Sequence, residues 1–290
     1  MQDIHIVTDR ESYYPGDTIN GQVVFVCDEC LDTNRVTATL ICAERTAVTH
    51  GSGKSQHTHS DTFEHIRETQ ELMPKVTIQV GETRLDFSFT LSPDLPGSYH
   101  GMHGRIEYSI GAKAELSRRL DKKATAILLV ELPVPSVTPA EQSGSIMRDE
   151  TEAFRVEVLN DVIEPSKYLP IRFMLLRESN FRGLRLEIVH REFVWPDYQK
   201  TTTENIMAWV SVPKEEMHYE SWQEVAIQLP DRVPTTFLSR LIETSCHLKA
   251  TLDIPWSLDK TVYLPLRKGI TDDLYRETDA AFGTDFGQRH

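Results

Sequence analysis

The sequence predicts an all-β chain folded as two tandem β-sandwich domains. Three observations carry this reading: apolar and polar residues alternate with period two in both halves, helix-period patterns are scarce, and a breaker-rich stretch divides the halves. In Leu85-Asp86-Phe87-Ser88-Phe89-Thr90-Leu91 the alternation has no fault. It describes a strand with one face toward a core and one toward water. Ile106, Tyr108, Ile110, Ala112, Ala114 and Leu116 alternate in the same way, as do Val36, Ala38, Leu40 and Cys42. In the second half Leu248, Ala250, Leu252 and Ile254 repeat the pattern. Half-wet faces belong to antiparallel sheets, because parallel sheets are covered on both sides. Phe87, Phe89, Ile106, Tyr108 and Ile110 are therefore expected in the core.

The stretch 133–150, PVPSVTPAEQSGSIMRDE, is rich in proline, serine and glycine and is expected to be a linker. It places a first sandwich at 1–132, a second at 151–266, and a polar tail at 267–290. The halves resemble each other. Tyr14-Pro15-Gly16-Asp17-Thr18 opens a strand after a turn, as Glu164-Pro165-Ser166-Lys167-Tyr168 does later. Phe89-Thr90-Leu91 leads through Pro96 to Tyr99, and Ile227-Gln228-Leu229 leads through Pro234 to Phe237. A spacing this long suits a duplicated domain and not a solenoid.

Composition narrows the function. The 290 residues carry a net charge of −13, from 31 basic and 44 acidic side chains. Nucleic-acid binding needs a basic face, so no nucleic-acid partner is expected. No apolar run approaches the roughly 18 residues of a membrane span. Met1 to Arg10 lacks a basic start and apolar run, so no signal peptide is read and a cytoplasmic location, peripheral to membranes at most, is expected. The four cysteines, Cys27, Cys30, Cys42 and Cys246, form no disulfide framework and are expected to be reduced.

The order of several motifs resembles the arrestins, especially their arrestin-domain-containing branch. The residues are Tyr14-Pro15-Gly16-Asp17 with Gly21, then Gly81 before the strand at 85–91. Leu95-Pro96-Gly97-Ser98-Tyr99-His100-Gly101 follows, then Gly104-Arg105-Ile106-Glu107-Tyr108 and Lys113-Ala114-Glu115. In the second half the proline turn at 165–175 and the 248–266 region look like the arrestin C-terminal domain. The resemblance implies immunoglobulin-like sandwiches and an adaptor role. Its partners would be protein partners: cytosolic tails of membrane proteins and endocytic, sorting or ubiquitin machinery. The chain departs from many such proteins in lacking Pro-Pro-x-Tyr. In its compactness it also looks like retromer-type arrestin-like subunits and prokaryotic sporulation-control proteins.

Three candidate sites stand out. Arg118, Arg119, Lys122 and Lys123 are the densest basic run and should lie on a turn after a strand. They can hold a phosphopeptide or phosphoinositide headgroup, or simply guard a strand edge. Cys27-Asp28-Glu29-Cys30 with His57 and His59 is an alternative metal or redox set. Against it, Cys27 and Cys30 also fit the end of a strand, and the histidines a polar loop between strands. Phe282 and Phe286 of the tail can dock on an edge of the first domain, or the tail can fray. Thr271 can N-cap a short helix there. No nucleophile elbow, phosphate loop or H-E-x-x-H is present. No cofactor is expected, and the chain reads as a binding scaffold and not an enzyme.

Overall fold

The computed structural model describes residues 3–51, 55–117, 119–148, 150–177, 181–196, 200–255 and 258–271. The chain forms two compact units. The first comprises Met1–Pro133 with Val194–Thr201 and Ser239–Ile242; the second comprises Val134–Phe193, Thr202–Leu238 and Glu243–His290.

The first unit is built from β1 (Asp3–Thr8), β2 (Ser12–Tyr13), β3 (Thr18–Cys27), β4 (Leu31–His50), β5 (His57–Met73), β6 (Val76–Ile78), β7 (Gly81–Thr90), β8 (Tyr99–His100), β9 (Gly104–Leu116) and β10 (Lys122–Val130). One sheet has the order β1-β3-β7. The other has the order β2-β10-β9-β4-β5, with β6 paired to β4 and β8 to β9. The inward residues of β9, Ile106, Tyr108, Ile110, Ala112, Ala114 and Leu116, are all buried, and so are Phe87 and Phe89 of β7. The five expected core residues are in the core. The Tyr108 hydroxyl donates to the carbonyl of Pro96, so the Leu-Pro-Gly segment is tied to the middle of β9. Between β2 and β3, the Asp17 amide donates to the Tyr14 carbonyl at 3.0 Å. Gly16 stands at φ 94°, which is what a proline-then-glycine turn of type II requires. Asp17 closes the turn by accepting from the Tyr14 amide at 3.0 Å and from Arg10 at 2.9 Å.

The second unit is built from β11 (Ser136–Val137), β12 (Gln142–Arg148), β13 (Thr151–Val158), β14 (Val162–Ile163), β15 (Tyr168–Leu175), β16 (Gly183–Val194), β17 (Thr201–Pro213), β18 (Gln223–Gln228), β19 (Phe237–Leu238), β20 (Ile242–Asp253), β21 (Lys260–Lys268) and β22 (Ile270–Thr271). Its sheets run β12-β13-β15-β18 and β14-β21-β20-β16-β17, with β19 on β20 and a separate β11-β22 pair. The path β2-β10-β9-β4-β5 of the first unit is repeated as β14-β21-β20-β16-β17, and β1-β3-β7 as β13-β15-β18, to which the second unit adds β12 and the β11-β22 pair. β2 pairs parallel with β10, as β14 does with β21. Tyr99 faces Ile106 across a ladder, and Phe237 faces Thr244. Ser166 takes the left-handed place of Gly16, with φ 61°, and its hydroxyl donates to Asp231 at 2.8 Å.

Three expectations need correction. The stretch 133–150 is no linker: it holds β11 and β12, and β12 pairs antiparallel with β13. One of its small residues, Gly144, is there for packing. A Cβ on Gly144 would stand 2.7 Å from Val262 Cγ2 and 2.8 Å from Leu264 Cδ2. Gly144→Val is accordingly expected to overpack this contact and lower the second unit's stability by about 1–3 kcal/mol. Urea unfolding checks it, and an unchanged midpoint would mean that β12 moves away freely. The histidines at 57 and 59 are not in a loop but in β5, which forms a long hairpin with β4. At the other end, residues 267–271 belong to β21 and β22 and not to the tail. Thr271 pairs with Val137 as strand, so it caps no helix. Residues 272–290, with Phe282 and Phe286, lie outside the described residues.

Candidate functional site

Of the basic run expected on a turn after the alternating strand, Arg119 lies between β9 and β10, whereas Lys122 and Lys123 already belong to strand β10. Arg118 lies outside the described residues. Arg119 is exposed and ion-paired with Glu29 at 2.5 Å; the Arg119 hydrogen bond and charge hold the Glu29 carboxyl below its usual range. Lys122 and Lys123 open β10, opposite Ala114 and Lys113. Two lysines face to face would repel. Lys113 relieves this by pairing with Glu115 at 2.9 Å and Asp121 at 3.2 Å. Among the described residues Lys122 and Lys123 have no ion-pair partner. Among its described residues the run therefore mixes charges and offers two unpaired ammonium groups.

The Cys–His set does not come together. Cys27 ends β3 and Cys30 precedes β4, whereas His57 pairs with His50 at the far end of β4. At about 3.3 Å per residue, the length of β4 separates the pairs by about 60 Å. Cys27 is buried and Cys30 exposed. Burial pushes the Cys27 thiol upward, with the neighbouring Cys30 adding to it, which disfavours the thiolate that metal binding needs. Among the described residues no group of three potential ligands could hold a metal ion. Cys42 and Cys246 are buried, with thiols pushed up to about 11 and about 12 by desolvation.

A cluster that the sequence reading missed lies in the first unit. Glu44 of β4 is fully buried. Its Oε1 accepts from the Leu241 amide at 2.9 Å, and its Oε2 from the Ser239 hydroxyl at 2.9 Å. His65 Nε2 of β5 stands 2.8 Å from the same Oε2. A carboxylate only accepts, so His65 donates there. Burial alone would raise the Glu44 carboxyl, but the bonds from His65, Leu241 and Ser239 outweigh it and hold the group below its ordinary value. The segment Ser239–Ile242 also covers Gly104, where a Cβ would stand 2.7 Å from Ile242 Cδ1. The glycine of the Gly-Arg-Ile-Glu-Tyr motif is thus required by close packing. The signal in the sequence was Glu44 itself, the next even position after the inward-facing Val36, Ala38, Leu40 and Cys42.

Serine, histidine and glutamate together invite comparison with a hydrolytic triad, and the geometry is wrong for one. Ser239 Oγ lies 3.4 Å from His65 Nε2, the same nitrogen that meets Glu44. In a triad the acid holds one ring nitrogen and the nucleophile meets the other. Here the serine hydroxyl donates to the carboxylate, and the trio can hold a segment in place but not activate an oxygen.

Comparison with known families agrees with this architecture. Residues 3–134 match the family described as arrestin (or S-antigen), N-terminal domain. The match ends where the first unit's main segment ends, and it includes every motif quoted above for the first half. Comparison with curated proteins yields no match. No helix among the described residues is long and apolar enough to cross a membrane. Over residues 3–134, a little under half of the chain, the protein matches the arrestin N-terminal domain, and the first unit is assigned to that domain family.

Proposed function

We propose that the protein is a non-catalytic adaptor that binds cytosolic segments of membrane proteins in trafficking, endocytosis or signalling. The observation that carries this is the arrestin N-terminal domain over 3–134, a family whose members are typically adaptors. The metal or redox alternative loses its footing with the separation of Cys27 and Cys30 from His57 and His59. Within this reading the β9–β10 hairpin contacts phosphorylated tails through Arg118, Arg119, Lys122 and Lys123. One exposed pair contributes at most about 1 kcal/mol, whereas several contacts to one phosphate, with its nearly two charges, add up.

Affinity capture from detergent-solubilised membranes with the tagged full chain tests the role. Enrichment of membrane proteins or sorting components, read by mass spectrometry against an unrelated β-sandwich, is the expected result; no enrichment overturns it. A variant with all four cations changed to serine separates the contact from the role. It should lose the salt-sensitive part of binding to phosphorylated tail peptides, and a variant that binds as well as wild type removes the hairpin from the reading.

A further inference from the structure

The duplication supplies an internal comparison. β5 and β17 hold the same place, at the outer edge of equivalent sheets in the two units. An outer edge presents a row of free amides and carbonyls, which proteins guard with charge, proline or shortness. β5 is guarded by Asp61, Glu64, Arg67, Glu68 and Glu71. β17 is not guarded. It has 13 residues and no lysine, arginine or internal proline, and its one charge is turned away from the edge. Glu204 accepts from Lys249 at 2.9 Å and from the Tyr263 hydroxyl at 2.9 Å, with Arg191 Nε at 3.2 Å. From 205 to 213 the strand carries no charge, yet Ile206 is 50% and Trp209 62% exposed. Met207, Ala208 and Val210 pack on the core and hold the strand in order. Among the described residues nothing pairs with its outer side.

We infer that β17 is the surface through which two copies of this chain pair edge to edge, antiparallel, into a symmetric dimer. Charge selects this face. A chain of net charge −13 repels its own copy over most of its surface, and the neutral run 205–213 is where two copies meet without that repulsion. The same neutrality gives a differently charged partner nothing to read. Symmetry completes the case: an isologous pairing covers both edges at once, so assembly stops at two. The area sets the strength. Thirteen residues at about 3.3 Å give an edge about 43 Å long and, at a sheet thickness of about 10 Å, about 400 Å² per copy. The Trp209 rings bring the total to about 1,000 Å². That is the low end for specific interfaces, so the dimer is a weak, reversible one.

Sedimentation velocity of the full chain from about 1 to 100 µM covers the range of such weak association. The wild type should move from the monomer mass toward twice that mass across the range, and Ile206→Lys should remain monomeric throughout. Asn205→Lys is the second variant: Asn205 is exposed, so the change leaves the core intact and decides the matter should Ile206→Lys fail to fold. A wild type that stays monomeric overturns the inference. So do lysine variants that dimerise as well as wild type, and so does a monomer whose β17 edge is instead protected from hydrogen exchange by an added extended peptide of another protein.

Discussion

Phe89→Ala is expected to cost about 3–5 kcal/mol of the first unit's stability, the sum of lost transfer energy and the cavity left behind. Phe89 is 1% exposed and lies across the β3–β7 ladder from Ile19. Its ring centroid is 5.8 Å from that of Phe87. The backbone on both sides is fixed by the ladder, so the site has little freedom to collapse. Phe89→Leu keeps most of the volume and should cost clearly less. Urea unfolding read by circular dichroism, with limited proteolysis to assign the transition to the first unit, measures both. A loss below about 1 kcal/mol for the alanine variant would mean that neighbouring side chains refill the space.

The second large effect concerns Asp161, which joins three segments of the second unit. Arg267 grips it with two bonds, at 2.7 Å and 2.8 Å. The Ala140 amide donates at 2.9 Å and the Gln142 side chain at 3.2 Å. Burial alone would raise this carboxyl, but the Arg267, Ala140 and Gln142 bonds outweigh it and hold it below the ordinary Asp value of 3.8. Arg267→Ala strips a 2%-exposed carboxylate of its cation and is expected to cost about 3 kcal/mol, the low end for a broken buried pair. The low end applies because the Arg267 side chain is 45% exposed and already partly solvated. The pH dependence follows from the lowered carboxyl. Its stabilisation is fully present above the ordinary value and is lost as pH falls through the lower folded value. Urea midpoints of the second unit should therefore fall below about pH 4 in wild type. In Asp161→Asn that part of the acid slope should be missing; an unchanged slope would place the acid sensitivity in other carboxylates.

The strands were legible because their alternation is a direct consequence of one wet and one dry face. The residues 106–116 fall in β9 with their inward side buried, and 85–90 fall in β7 with Phe87 and Phe89 buried and Leu85 half-buried, as the pattern required. The duplicated turns were legible too, since Gly16 and Ser166 share a left-handed backbone and their flanking prolines share a position. The stretch 133–150 misled because serine and glycine carry two meanings: a flexible linker or, as at Gly144, a strand pressed so closely on its neighbour that larger side chains do not fit. His57 and His59 misled for a related reason. An outer strand such as β5 faces water along much of its length, so it has a loop's composition with a strand's backbone. The Glu44 cluster joins positions about 195 residues apart in sequence, and no local pattern reports such a meeting. The unpaired state of Lys122 and Lys123, like the pairing of Arg119 with Glu29, depends on which carboxylates the hairpin brings near.

The parallel bridges that close each sandwich bear on how the protein is made. Ser12 and Tyr13 meet Leu129 and Val130, and Val162 and Ile163 meet Arg267 and Lys268, so each sheet joins nearly its first residues to its last. During synthesis the amino end of the first unit emerges long before β10 exists, and its inner face waits uncovered. Closure comes only when about the whole unit has left the ribosome, and it comes at once, because the last strand fills the gap between β2 and β9. Contacts so distant in sequence make folding slow, on the order of milliseconds to seconds. For that interval the nascent sandwich is an open sheet, with its apolar face and strand edges exposed to aggregation.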